Sequence, residues 1–269
     1  MLRKMIRVIC IGCLLACVSA CAGAEEIRIH FFNAGKADAC LLTTPNSTVL
    51  IDTGKNKFGK EITAWLEENG ISEIDILFIT HFDKDHVGGA DTVLKSVKVR
   101  QVIEPAYFSD SKQYMQYREA VAASQTQVVT LNSNASFELD GVSYEIDIAN
   151  ERYYGEDEEN DFSLVISARY GENSFLFAGD AENPRLSELL SEGVGRHDVL
   201  KVPHHGRSEK FSSAFFAAVQ PKYSVITSDE EDREDASVVQ ALKQYGDVFL
   251  TREGAVTIVS DGAKIFVTR

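Results

Sequence analysis

Between Thr80 and Gly89 the chain reads THFDKDHVGG, which puts His81, Asp83, Asp85 and His86 within six positions. The cluster follows the apolar run IDILFI directly. A tight loop leaving a strand can turn several nitrogen and oxygen donors toward one point, and such a set suits one or two divalent ions of the zinc or manganese type. Two more strand ends carry the same residue types. SFLFAGD brings Asp180 to the end of one apolar run, and DVLKVPHHG brings His204 and His205 to the end of another. Taken singly, Asp180 also suits the N-cap of the following NPRLSELL, and the two histidines suit an ordinary loop. Three strand-end clusters that hold four of the six histidines point instead to a shared metal centre.

Elements able to position these clusters are legible in the pattern. EIRIHFF, ACLLTT and STVLID read as strands, separated by turn residues such as Asn33, Gly35, Pro45 and Asn46. GKEITAWLEENG places Ile62, Trp65 and Leu66 at helical spacing and ends on Gly70, and IDILFIT follows as a buried strand. Later, YEIDIA, SLVISARY, SFLFAG, DVLKVP, YSVIT, VFLT and AVTIVS read as strands. NPRLSELLSEG, FSSAFFAAV and ASVVQALKQYG read as helices, the first with proline at its start. Mixed strands and helices in two similar halves predict a layered α/β sandwich of two sheets flanked by helices.

Composition narrows the setting. The 269 residues are 44% hydrophobic and carry a formal net charge of -14. The first 20 contain Arg3, Lys4 and Arg7 and no acid, so without them 24 basic residues face 41 acidic ones, or -17. That field repels a long anionic polymer unless a local basic patch overrides it. MLRKMIR followed by VICIGCLLACVSA has the basic and then apolar order of an export signal spanning residues 1–24, leaving 25–269 as the folded domain. VSAC ending at Cys21 resembles a lipobox, AGA at Ala22 to Ala24 suits ordinary signal-peptidase cleavage, and LLAC at Cys17 is a third exit. An uncleaved tethering helix is the alternative. The place expected is therefore extracytoplasmic, secreted or lipid-anchored at a bacterial envelope. Cys10, Cys13, Cys17 and Cys21 all lie in the leader, so the mature chain has no disulfide framework and a metal site must use histidine and carboxylate.

The ordered pieces FFNAGKADACLL, VLIDTG, THFDKDHVGG, NDFSLVI, FLFAGD and KVPHHG resemble the metallo-β-lactamase superfamily. Within it they resemble the branch that includes the C-terminal domain of the DNA-uptake protein ComEC and its secreted stand-alone relatives. The resemblance covers nearly all of residues 26–260. It implies a four-layer αββα sandwich with a binuclear site at one edge of the sheets. His81 and Asp83 would bind one ion, Asp85 and His86 the other, and Asp180 would bridge. One of His204 and His205 would complete the second ion, leaving its neighbour near the substrate. Asp52 of LIDTG would brace the site, or act simply as a turn residue before Gly54.

The chain also departs from superfamily patterns. Asp83 stands where many members have a second histidine, a change the ComEC-like branch shares, and an anionic ligand there suits manganese as well as zinc. Asn160 and Asp161 occupy the segment that holds an isolated histidine in lactamases and glyoxalases, and Asn160, like Asp52, is expected to support the ligands from behind. After the late strand the chain reads SDEEDREDAS, where the competence-type branch commonly has an Asn and a Gly-His-Pro.

The chemistry implied is hydrolysis by a metal-bridging hydroxide, with the free member of the His204 and His205 pair protonating the leaving group. Asp85, His204 and His205 are thus the candidate catalytic residues. Lys55, Lys57, Lys60, Lys84 and Arg207 lie beside the motifs and could hold a phosphate. Tyr107, Phe108, Tyr114, Tyr117, Tyr153 and Tyr154 fall between them and could face a quaternary ammonium group, or serve as core and rim packing. The expected partner is a small phosphodiester, such as an amino-alcohol phosphate of the envelope, with DNA disfavoured by charge. Hydrolysis of an ester, thioester or lactam, a nuclease of the ComEC type, and a noncatalytic surface binding lipoprotein are the alternatives.

Overall fold

A computed structural model describes residues 26–151 and 159–269. The leader therefore lies outside the described residues, as do Tyr153 and Tyr154.

The first half runs β1 (Ile27–Phe31), β2 (Cys40–Thr43), β3 (Thr48–Ile51), α1 (Gly59–Glu68), β4 (Glu73–Phe78), α2 (Ala90–Ser96), β5 (Lys98–Pro105), α3 (Lys112–Ala123) and β6 (Gln127–Leu131). The second runs β7 (Ala135–Leu139), β8 (Val142–Asp147), β9 (Val165–Tyr170), β10 (Asn173–Phe177), α4 (Asn183–Glu192), β11 (Val199–Lys201), α5 (Ser212–Val219), β12 (Tyr223–Ile226), α6 (Ala236–Leu242), β13 (Asp247–Leu250), β14 (Val256–Ser260) and β15 (Ile265–Thr268). The strands form two sheets, ordered β15-β14-β1-β2-β3-β4-β5-β6 and β13-β12-β11-β10-β9-β8-β7.

Side-chain alternation explains the layering. In β3, Val49 and Ile51 join the core between the sheets, while Leu50 faces α1, α2 and α3. In β10, Phe175 and Phe177 point inward and Leu176 joins the cluster under α4, α5 and α6. Strands covered on both faces must be apolar throughout, which is why these runs show no polar alternation. Three apolar layers thus separate four structural ones, giving the αββα sandwich that the sequence predicts.

The strands and helices named from the sequence are all present. Those it leaves unassigned, α2, β5, α3, β6, β7 and β15, lie mainly in the stretch from Ala90 to Leu139. β6, β7 and β15 are sheet-edge strands with half their residues partly exposed, so their apolar signal is diluted.

The parallel strands β3, β4, β10, β11 and β12 release their chain at one common edge. The segments that follow them carry Asp52, Thr80 to His86, Asp180, His204 with His205, and Thr227. The β1–β2 connection adds Asp38 at the same place.

Candidate metal centre

The paired glycines after His86 let two loops touch. A Cβ on Gly88 would stand 2.2 Å from the carbonyl oxygen of Lys84 and 2.7 Å from the amide nitrogen of Asn56. One on Gly89 would stand 2.4 Å from the carbonyl oxygen of Thr53. Only glycine permits that approach, which presses the ligand loop after β4 onto the loop after β3. Asp52 lies in that second loop in a left-handed conformation, φ 57°. Its carboxylate accepts from the Thr80 amide at 2.8 Å and the Thr80 hydroxyl at 2.7 Å, and lies 2.8 Å from His86 Nδ1. A carboxylate only accepts, so Nδ1 carries the proton and His86 turns Nε2 inward.

Asp180 Oδ2 lies at the meeting point, 3.2 Å from His86 Nε2 and 3.0 Å from His205 Nε2. His81, His86 and Asp180 place one donor atom each within 4.8 Å of one another, and all three are buried. Asp38, His86 and His205 make a second such group. Asp85 approaches His205 Nε2 at 3.7 Å. The Nε2 atoms of His81, His86 and His205 are all buried, and those of His86 and His205 have Asp180 Oδ2 as their near neighbour, while that of His81 has no hydrogen-bond partner. Buried polar nitrogens without partners are costly in a folded protein. Divalent ions held by the two groups would give these nitrogens partners, so the donor set fits the metal that the residue types suggest.

Electrostatics follow from burial. Burial works against ionisation of Asp180, but His205, His86 and Lys201 outweigh it and hold the carboxyl well below its ordinary range. For Asp38, burial is likewise offset by Lys201, His86 and His205. His81 is driven far down by burial and by the neighbouring His86 charge, which leaves it neutral with a free lone pair. Asp83 is pushed up to about 6, chiefly by burial.

The two adjacent histidines part company. Both have left-handed backbones, φ 47° at His204 and 52° at His205, strain that a single loop holds only when packing over-determines it. His205 turns into the centre, with Nδ1 3.1 Å from the Thr227 carbonyl oxygen and so carrying the proton. His204 turns away toward Glu182, at 3.2 Å from Nδ1, and Glu209, at 3.6 Å. Asn160 donates to Glu182 at 2.8 Å, so it braces the neighbourhood of His204 and touches none of the expected ligands. Asp83 lies beside the centre without belonging to either tight group.

Other residues singled out by the sequence also take definite places. Lys55, Lys57 and Lys84 line one open pocket of about 430 Å³ with Ala34, Asn56 and Phe58. Arg207 is instead paired with Asp232. Tyr107 stacks on Phe162 with centroids 4.5 Å apart and accepts from the Phe82 amide at 2.6 Å, while Tyr114 and Tyr117 pack against Phe82 as core. Phe108 is exposed.

Three participants escape the sequence reading: Asp38, Lys201 and Thr227. Thr227 donates to Asp38 at 2.6 Å and touches His205 Nδ1 at 2.9 Å. Lys201 is buried, paired with Asp38, 3.4 Å from Asp180 Oδ1 and 2.9 Å from the Gly179 carbonyl oxygen. Its signal was a lysine inside the apolar strand DVLKVP, since a charge placed there must meet an opposite charge.

Histidines and aspartates that converge at one edge of a two-sheet sandwich make a candidate site for divalent metal. The profile of the Metallo-beta-lactamase superfamily matches residues 33–227, and the chain belongs to that family. It is 24% identical over 229 residues to ComE operon protein 3 of Bacillus subtilis (strain 168), covering 78% of this chain and 29% of that one. It is 27% identical over 206 residues to Recombination protein 2 of Haemophilus influenzae (strain ATCC 51907 / DSM 11121 / KW20 / Rd), covering 75% and 24%. These matches agree with the ComEC-like branch, and the chain spans less than a third of either relative's length. Among solved structures, the metallo-beta-lactamase fold protein YhfI from Bacillus subtilis superposes with a TM-score of 0.59 at 9% identity, over 90% of this chain and 99% of that one. That likeness shows the fold. Among the described residues no helix is long and apolar enough to cross a membrane.

Proposed function

We propose that this protein is a metal-dependent phosphodiesterase of the cell envelope that prefers small diesters to DNA. The observation that carries the reading is the convergence of the buried imidazoles of His81, His86 and His205 on Asp180. His81, Asp83, Asp85, His86, Asp180 and His205 would hold two divalent ions, zinc or manganese, with Asp180 shared between them. Such ions supply Lewis acidity and lower the pKa of a coordinated water. Asp52 and Thr227 orient His86 and His205 by accepting hydrogen bonds from their Nδ1–H groups. His204, backed by Glu182 and Glu209, is turned aside from the centre and is the proton donor for the leaving group. Lys55, Lys57 and Lys84, which share a pocket with Glu61, are the cations an anionic substrate would meet there.

Purified chain should bind close to two divalent ions. With zinc or manganese it should cleave bis(p-nitrophenyl) phosphate and glycerophosphodiesters faster than p-nitrophenyl acetate, a thioester, a lactam or DNA at equal concentration. Absence of metal binding defeats the reading, and faster cutting of DNA than of every small diester makes the protein a nuclease instead. Residues 1–24 support export, with release after Ala24 or a lipid at Cys21. Cys21→Ala should free a lipid-held protein from membranes and leave a cleaved one unchanged, while intact full-length chain in the cytoplasm would contradict both.

A further inference from the structure

Among the described residues, Lys201 is the lysine buried against the carboxylates of the centre. It is 3% exposed, and its ammonium group has the Gly179 carbonyl, Asp38 Oδ2 and Asp180 Oδ1 as neighbours, one for each of its protons. The consequences run in two directions. With Oδ1 of Asp180 drawn to the lysine, only Oδ2 is offered between the Nε2 atoms of His86 and His205. With Oδ2 of Asp38 drawn to the lysine, Oδ1 is left to take the Thr227 hydroxyl proton at 2.6 Å. That residue's carbonyl and hydroxyl hold Nδ1 of His205 at 3.1 and 2.9 Å. Lys201, Asp38, Thr227, His205 and Asp180 therefore form a closed ring of contacts, and the ring contains two of the expected metal ligands.

We propose that Lys201 is a positioning residue of the metal centre, acting through Asp180 to set which oxygen faces the ions and through Asp38 and Thr227 to aim His205. The inference rests on the metal-site reading above. Asp38 belongs to one of the donor groups, but its Oδ2 is paired with the lysine and its Oδ1 with the Thr227 hydroxyl, so Asp38 serves as the anchor of the ring and Asp85 is the carboxylate that reaches the His205 side.

The test is Co2+ binding by the full chain after removal of other metals, read by chelator competition and by the visible d–d absorption of the bound ion. Lys201→Met alone leaves Asp38 charged and buried without a cation, so the informative variant is Lys201→Met with Asp38→Asn, which removes both charges and keeps the shape. Thermal unfolding without metal reports whether it folds. The expected result is a folded double variant whose Co2+ affinity falls by ~10–100-fold, the range for loss of groups that orient metal ligands, with a shifted d–d spectrum. A lysine that serves the fold alone would lower the unfolding midpoint and leave affinity and spectrum at parental values, and that outcome overturns the proposal. A double variant that cannot fold overturns it as well, because the lysine then serves the core first. Parent protein that binds no Co2+ defeats the metal-site reading and this inference together, whereas unchanged Co2+ binding in the double variant defeats only the inference.

Discussion

Asp52→Ala removes the acceptor for three donors at once: the Thr80 amide, the Thr80 hydroxyl and His86 Nδ1. All three are buried, so water cannot replace the carboxylate. A buried donor left without a partner costs ~1–3 kcal/mol, whereas the left-handed backbone at φ 57° adds no new crowding, since aspartate and alanine both carry a Cβ. Three such donors together cost about 5 kcal/mol. For a domain of this size that lowers the unfolding midpoint by ~10–20 °C. The measurement is thermal unfolding of metal-free protein, beside Asp52→Asn, which keeps the shape and tolerates the left-handed backbone. The asparagine variant should lose only ~1–2 kcal/mol of stability but bind zinc ~10–100-fold more weakly, since a neutral amide holds the His86 ring less firmly. If Asp52→Ala melts within ~3 °C of the parent, or Asp52→Asn binds metal as tightly as the parent, Asp52 does not brace His86 and the argument from its three contacts is wrong.

His204→Gln should keep the full metal content and slow hydrolysis of diesters with poor leaving groups ~100-fold, while sparing p-nitrophenyl diesters, whose leaving group needs no proton. Equal losses on both substrates would remove His204 from that role. Gly89→Ala should be barely expressible or strongly destabilised, because its Cβ would stand 2.4 Å from the Thr53 carbonyl oxygen, and a soluble variant with parental melting would contradict the close contact of the two loops. His197 is buried beside Ser167 Oγ at 2.8 Å, and burial lowers its pKa to about 4 against 6.5 in the unfolded chain. Its protonation therefore favours the unfolded state as pH falls from 6.5 toward 4, and at pH 5 it should cost ~2 kcal/mol relative to pH 7. Urea unfolding at both pH values should show a smaller drop in His197→Gln than in the parent, and an identical drop would refute the assignment.

How much of this was legible beforehand depends on the range of the interactions involved. The strand-end clusters at Thr80 to His86, Asp180 and His204 to His205 needed only local pattern, because an apolar run that stops at polar residues marks the mouth of a sheet wherever the chain goes afterwards. The same local logic identified the doubly covered strands β3, β4 and β10 and the amphipathic helices α1 and α4. It failed for β6, β7 and β15, whose edge positions leave half of each strand in partial contact with water and blur the apolar period.

What only the tertiary structure decided is set by contacts between residues far apart in the chain. His204 and His205 are neighbours with similar backbone angles, and no local rule tells which enters the centre. The choice is made by Thr227, arriving from β12 to take the Nδ1 proton of His205, and by Glu182 and Glu209, which draw His204 the other way. Asp38 lies in the β1–β2 connection of one sheet and Lys201 at the end of β11 in the other, and no local pattern links them. Their meaning appears when the sheets pack and each becomes the counter-charge without which the other could not be buried.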